Sequence, residues 1–458
     1  MFNLGINNFR SFQNQNFNFK RINILIGENS GGKSSLLKFL LSLKQTIDSP
    51  NESNLKLKGD FTDLGNYEEM IYNREKSRKL EFYFEAKDEH FKHVIENINF
   101  YDRTEKDLAL DGYIRFKHLE NSTTKLHITL SNKLDVHSNI NLKFSNDLLG
   151  ELQLEHIDML DDENYKEIYC NLKFKDLLGE EKIIQNCVCY KEGFLSLLDS
   201  SLKTKVIEQY DHHTYYNILY LLTFQNYIIQ EINKIKFVNP IGSSPKRFYF
   251  HEDKKSTYNT IDIEKLINVL GDPSLTPREY QDRITLLNKT INSFGIAEQV
   301  DIIKNKEFPV LGLNVKTNDF WSNITDVGYG VSLQLPILFQ ALLSENYTRK
   351  GQILLIEQPE VHLHPSLQAK FIDTLLSIGN KNSYFIETHS EHIIRMLQVI
   401  VKNKKFNVTS DDISIYYFKR IKDKFEITQH TICEEGRLSP SFPSGFYDAS
   451  YSLVKELL

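Results

Sequence analysis

Cysteine is scarce in this sequence, with four residues, Cys170, Cys187, Cys189 and Cys433, in a chain of 458. That is too few for a disulfide framework at this length, so a reducing compartment, the cytoplasm, is the expected location. Cys187 and Cys189 form a C-x-C, yet no second ligand pair stands at zinc-finger spacing, and they read as strand thiols. His212-His213 and His362-Leu363-His364 also lack the companions a metal site needs. Long apolar runs are missing too. The most apolar stretch, 216–229, is interrupted by Asn217, Gln225 and Asn226, and Met1-Phe2-Asn3-Leu4-Gly5 has neither region of a secretory signal, so no membrane partner is expected. Nor is there a large surplus of one charge. Fifty-five basic and 61 acidic side chains leave a formal −6, which argues against a uniformly basic nucleic-acid binder but allows a local patch. Lys402-Asn403-Lys404-Lys405 and Lys419-Arg420-Ile421-Lys422 are such patches, available to DNA, although runs of this kind are usually solvated faces. Sustained heptads, internal repeats and low-complexity segments are absent.

What is present begins at Gly27-Glu28-Asn29-Ser30-Gly31-Gly32-Lys33-Ser34, a phosphate-binding loop pattern with every fixed position filled and Ser35 directly after it. Ile22 to Ile26 reads as a short buried strand before it, and Leu36, Leu37, Leu40, Leu43 and Ile47 recur at helical spacing behind it. Glycines allow successive backbone N–H groups to turn inward around phosphates at the positive end of the helix. Lys33 would reach the β- and γ-phosphates, and Ser34 would offer Mg²⁺ a hard oxygen ligand. ATP with Mg²⁺ is the expected cofactor.

A second half-site lies far along the chain. Ile353-Leu354-Leu355-Ile356 is an apolar run ending in Glu357, the expected acid for holding Mg²⁺ through its water shell. A helix over 365–378 and a strand at Tyr384-Phe385-Ile386 complete a parallel crossover, and His389 follows that strand where a γ-phosphate would lie. Upstream, the run from Asp326 to Gln334 contains Gly328, Gly330 and Ser332. It reads as an anion-binding nest with a capping serine, opening a helix over 335–343 with Pro336 near its first turn.

These pieces imply an α/β fold, a phosphate-loop ATPase head carrying an inserted β-rich and helical lobe. The expected segments are 1–77 for the N-terminal part of the head, 78–190 for a β-rich part, 191–238 for a helical insertion, 239–400 for the returning head and 401–458 for a tail domain. Strands are expected at 80–84, 113–116, 126–130, 140–144, 168–172 and 307–315, helices within 191–236 and 260–300, and a hinge at 239–245.

Phosphate loop, glycine–serine nest, acidic strand and switch histidine, in that order, resemble the ABC-type ATPase head. Leu354 to Pro365, reading LLIEQPEVHLHP, and Thr388-His389-Ser390-Glu391-His392 resemble more narrowly the OLD-like ATPases of bacterial antiphage defence, such as the Septu and PARIS ATPase subunits. Asn8 to Phe12, Gly436-Arg437-Leu438 and the tail Phe442 to Asp448 extend the resemblance, which leaves 78–236 uncovered. It implies a homodimer or higher homo-oligomer sandwiching ATP, with Gly328, Gly330, Ser332 and Gln334 meeting nucleotide across the interface, and a separate effector protein, a nuclease, and it makes a phage component a further candidate for the basic patches. It also exposes a departure. The residue after the Mg²⁺ acid is usually a glutamate that polarises the attacking water, and here it is Gln358, whose amide cannot accept a proton. Slow hydrolysis is expected, with Glu360 as the substitute base. Alternatives are a self-contained OLD-type nuclease, which needs an acidic domain that the 69 residues after His389 do not suggest, a DNA-repair or chromosome-organising ATPase, and a transporter motor.

Overall fold

The structure, a computed structural model, describes residues 2–29, 31–49, 55–90, 122–133, 137–162, 165–190, 212–238, 244–250, 260–305, 308–421 and 424–442. Ser30, the strand expected at 113–116, the helical stretch 191–211, most of the hinge (239–243) and the tail from residue 443 lie outside them.

In chain order the elements begin with β1 (Asn3–Phe9), β2 (Phe12–Asn18), β3 (Ile22–Gly27), α1 (Lys33–Ile47), α2 (Tyr67–Met70), β4 (Leu80–Lys87), β5 (Thr123–Lys133), β6 (His137–Asn146), β7 (Gly150–Asp162), β8 (Tyr165–Lys175), β9 (Glu181–Tyr190) and α3 (His212–Asn233). There follow β10 (Ile235–Val238), β11 (Tyr249–Phe250), β12 (Thr260–Ile261), α4 (Ile263–Gly271), α5 (Pro277–Phe294), β13 (Gln299–Lys304), β14 (Val310–Thr317), β15 (Phe320–Asn323) and α6 (Tyr329–Tyr347). The last are β16 (Ile353–Glu357), α7 (Pro365–Ser377), β17 (Ser383–Glu387), α8 (Glu391–Lys402), β18 (Ile413–Ile421), β19 (Lys424–Ile432) and β20 (Leu438–Ser439).

These elements form two compact units. One holds Met1–Phe19 and Lys38–Asn233, the other Lys20–Leu37 and Lys234–Leu458. The division departs from the segment boundaries expected from sequence. In particular, Ile235–Val238, expected in a helical insertion, is strand β10, paired in parallel with β16 and belonging to the second unit. Its four residues are too few to show a period, and only the pairing decides between helix and strand.

The first unit is an antiparallel eight-stranded sheet in the order β2-β1-β4-β5-β6-β7-β8-β9. Alternation places Leu80, Phe82 and Phe84 of β4 and Leu126, Ile128 and Leu130 of β5 inside, with polar partners between them half-exposed. Its core is aromatic, with Phe39 of α1 meeting Phe9 at 5.0 Å and Phe82 at 5.2 Å, edge to face. Strand β7 was not expected, although Glu151-Leu152-Gln153-Leu154 does alternate, whereas β9 carries Cys187 and Cys189 on a strand, as expected of these thiols.

The second unit holds a sheet in the order β12-β10-β16-β17-β3-β18-β19-β20, parallel from β12 through β18. Its central strands β3, β16 and β17 are apolar almost throughout because successive residues, which point to opposite faces, are buried alike, and Ile22, Ile24, Leu354, Ile356 and Ile386 are fully buried. A smaller antiparallel sheet, β11-β14-β13 with β15 on β14, packs against α4 and α5 through Val300, Leu313, Leu266 and Leu287. Among the described residues no helix is long and apolar enough to cross a membrane.

Candidate nucleotide site

The loop after β3 sits at the carboxyl end of the central parallel strands, where ligands of open α/β sheets bind. Gly27 ends β3 beside Phe418 of β18 and has φ +137°, while Gly32 has φ +101°. Such angles suit only glycine, which is why the loop can reverse so tightly. The Glu28 N–H donates to Phe418 O at 3.1 Å, the Gly31 N–H to Glu28 O at 3.2 Å, and the Ser35 N–H to Gly32 O at 3.0 Å. The first turn of α1 contains no acid of its own, and its positive end faces the loop.

Lys33 is 4% exposed and its Nζ donates to Gly27 O at 3.0 Å and Glu28 O at 2.7 Å. Burial pushes its pKa down, against the opposing pull of Glu387, Glu360 and Glu28. The largest of those pulls comes from a residue that the sequence reading passed over. Glu387 closes β17, is 4% exposed, and accepts the hydroxyl of Ser34 at 2.9 Å through Oε1. The signal was available, since a carboxylate ends the apolar run Tyr384-Phe385-Ile386 just as Glu357 ends its own.

Glu357 and Glu387 are register partners on neighbouring strands, and Glu387 is in turn level with Leu25 of β3. With strands about 4.8 Å apart, Glu357 therefore stands a further strand away from the loop. The next residue, Gln358, has φ 43° and donates its backbone N–H to Glu387 O at 2.7 Å. Glu360 turns back toward the switch strand, where Oε1 accepts the His389 N–H at 2.5 Å. Burial raises its carboxyl pKa despite that bond and others from Thr388 and Ser390. His389 itself is held below the ordinary imidazole value, first by desolvation and second by Lys33, and is neutral at physiological pH.

The structure revises the nest. Helix α6 starts at Tyr329 with Gly328 as its N-cap and no side-chain capping bond. Ser332 is therefore inside the helix, donating to Tyr329 O at 2.8 Å, and is not the capping residue. Pro336 likewise falls within the helix and not in its first turn. Every residue from Ser332 to Leu342 is buried, so the helix is covered on most sides and packing offsets the missing N–H. Gln334 is fully buried and its amide donates to Pro359 O at 2.6 Å, so it ties α6 to the acidic strand instead of facing a surface. Gly328 is exposed, and Gly330 lies against the loop after β16, where an added Cβ would be 2.8 Å from His362 O. His362 stands edge-on to the Tyr329 ring at 5.2 Å, and His364 caps α7 through Ser366, which gives this histidine pair packing and capping roles. Gly330→Ala is expected to lower stability by about 1–3 kcal/mol, because a backbone carbonyl must move to admit the methyl group. Thermal unfolding measures it, and an unchanged midpoint would mean that the two segments do not press on each other.

The donor set fits Mg²⁺, which favours hard oxygen ligands and would find the Ser34 hydroxyl beside a buried carboxylate. Among the described residues no group of three or more His, Cys, Asp or Glu is placed to hold a metal by itself, so substrate phosphates would complete the shell.

Solved structures similar to this chain include an Smc head bound to the C-winged helix domain of ScpA (9% identity, TM-score 0.40, covering 94% of this chain and 98% of that one). The SMC head domain from Thermotoga maritima matches at 9% identity and TM-score 0.35, covering 93% and 97%. An Smc head domain with an extended coiled coil, bound to the C-terminal domain of ScpA derived from Pyrococcus furiosus, matches at 9% and 0.43 over 100% of both chains. No curated protein matches the sequence. Residues 408–457 match a family described as a protein of unknown function (DUF3696). Residues 1–394 match the family described as AAA ATPase domain, and with most of its length inside that match the chain belongs to the AAA ATPase domain family.

Proposed function

We propose that this protein binds ATP with Mg²⁺, hydrolyses it slowly, and acts as a nucleotide-dependent dimerising switch that scaffolds a separate effector nuclease in bacterial antiphage defence. The observation that carries the nucleotide part is the convergence of Lys33, Ser34, Glu387, Glu360 and His389 at the carboxyl ends of β3, β16 and β17. Lys33 binds the β- and γ-phosphates, Gly27 to Ser35 supply backbone donors, and Ser34 and Glu357 hold Mg²⁺, the latter through water. When bound, that ion would neutralise charge on the phosphate oxygens. His389, as a neutral imidazole, senses the γ-phosphate by hydrogen bonding. Gly328, Gly330 and Ser332 of the nest complete the pocket of a second protomer. The defence role and the effector rest on the resemblance of the Leu354–Pro365 and Thr388–His392 segments to OLD-like ATPases.

Lys33→Ala is expected to weaken ATP by roughly 10- to 150-fold, since a hydrogen bond to a charged group contributes about 1.5–3 kcal/mol. Calorimetry measures it, and uptake of nucleotide by neither protein would end the nucleotide reading. With a non-hydrolysable ATP analogue the natural protein is expected to double its mass by light scattering, and a mass that never changes would remove the switch. Copurification with the products of neighbouring genes, followed by a DNA-cleavage assay, tests the effector. Metal-dependent cleavage by this polypeptide alone would favour the self-contained nuclease.

A further inference from the structure

We propose that Glu387 is the positioning residue for the Ser34 hydroxyl, and that through it this carboxylate sets the affinity of the site for Mg²⁺ with nucleotide. The inference rests on the nucleotide-site reading above.

A serine hydroxyl has one hydrogen and two lone pairs. To offer a lone pair to a hard cation it must send its hydrogen elsewhere, and Glu387 Oε1, 2.9 Å away, is where that hydrogen goes. The geometry thus leaves the oxygen's acceptor side for a ligand. Losing a group that orients a metal ligand in this way typically costs about 10- to 100-fold in metal affinity.

Its position singles this carboxylate out. Strand β17 lies directly against β3, whereas Glu357 is on β16 beyond it. The backbone of Glu387 is clamped from one side by the Gln358 N–H at 2.7 Å, and the following Thr388 N–H donates to Leu25 O at 3.0 Å on the other. Gln358 adopts φ 43° while making that bond, a conformation disfavoured for a residue with a side chain and maintained here by its surroundings. A carboxylate 4% exposed at the end of an apolar strand is costly to bury, and an apolar residue would continue the strand more cheaply.

The test uses the full chain and a non-hydrolysable ATP analogue, titrated calorimetrically at a series of Mg²⁺ concentrations and without Mg²⁺, with Mn²⁺ resonance spectra as a second readout. Glu387→Gln keeps an oxygen to accept the serine hydrogen but removes the charge, and Glu387→Ala removes both. Glu387→Ala is expected to require about 10- to 100-fold more Mg²⁺ for analogue binding, and Glu387→Gln, which still accepts the serine hydrogen, a smaller increase, the ratio of affinities with and without Mg²⁺ falling in the same order. Ser34→Ala with Glu387→Ala is expected to lose no more than the worse single variant, because the two act as one unit. If Glu387→Ala does not fold, Glu387→Gln and Glu387→Asp carry the test. Unchanged Mg²⁺ dependence in folded variants, including a lowered melting temperature alone, would overturn the inference and make Glu387 purely structural. Failure of the natural protein to bind analogue at any Mg²⁺ concentration would overturn instead the nucleotide site beneath it.

Discussion

Glu360→Gln is expected to lower ATP turnover by about 10²–10⁴-fold while leaving ATP affinity nearly unchanged, the loss that removal of a positioned general base produces. By the resemblance to ABC-type heads that task would fall to the residue after Glu357, which is Gln358 here, and an amide has no proton affinity to offer at neutral pH. Glu360 has the necessary properties. Its carboxyl is held against the switch histidine by the His389 N–H at 2.5 Å, and burial makes it more basic than an ordinary carboxylate. Its charge also favours the charged form of the Lys33 ammonium. Glutamine at 360 keeps an oxygen for the His389 N–H, so the fold of the turn survives and the loss isolates proton transfer. Single-turnover hydrolysis alongside equilibrium binding measures it. Turnover unchanged in Glu360→Gln would remove Glu360 as the base. The reciprocal change, Gln358→Glu, is expected to raise turnover, and no gain would mean that the amide is not what limits the rate.

Gly27→Ala is expected to abolish nucleotide binding and to destabilise the protein severely. A methyl group there would stand 2.0 Å from Phe418 O, at a φ of +137° that alanine does not adopt without strain. Strain and overpacking each cost about 1–3 kcal/mol, which together is a large share of the roughly 5–15 kcal/mol that holds a domain folded. Gly179→Ala separates the two effects, because that glycine also has positive φ, +87°, but its nearest neighbouring atom is 4.0 Å from the added carbon. Its expected loss is small by comparison. Thermal unfolding and analogue binding report both, and a stable, ATP-binding Gly27→Ala protein would show that β18 does not press on the loop.

Contiguous features were legible in the sequence. The phosphate loop, β3 and α1 follow one another within a few turns of chain, so glycine placement and helical spacing determine them locally. The strand–helix–strand from β16 through α7 to β17 was equally clear, because a doubly covered parallel strand must be apolar throughout. Features that depend on distant partners were not. Ser332 looked like a cap because serine often is one, but the helix begins earlier, at Tyr329, and the hydroxyl returns to that residue's carbonyl. Gln334 looked like a ligand contact, and Pro359, 25 residues away, engages its amide. The four residues of β10 carry no periodic signal of their own and are a strand because β16 pairs with them.

By itself the sequence determined that this chain has a phosphate-binding loop between a buried strand and a helix, and that the position after Glu357 holds an amide. Only the tertiary structure decided which acid stands next to the loop. Strand order cannot be read from chain order, and parallel pairing inserts β17 between β16 and β3, bringing Glu387 to Ser34 across 353 residues of chain. Local chemistry specifies the elements, but a buried carboxylate finds its partner through the sheet.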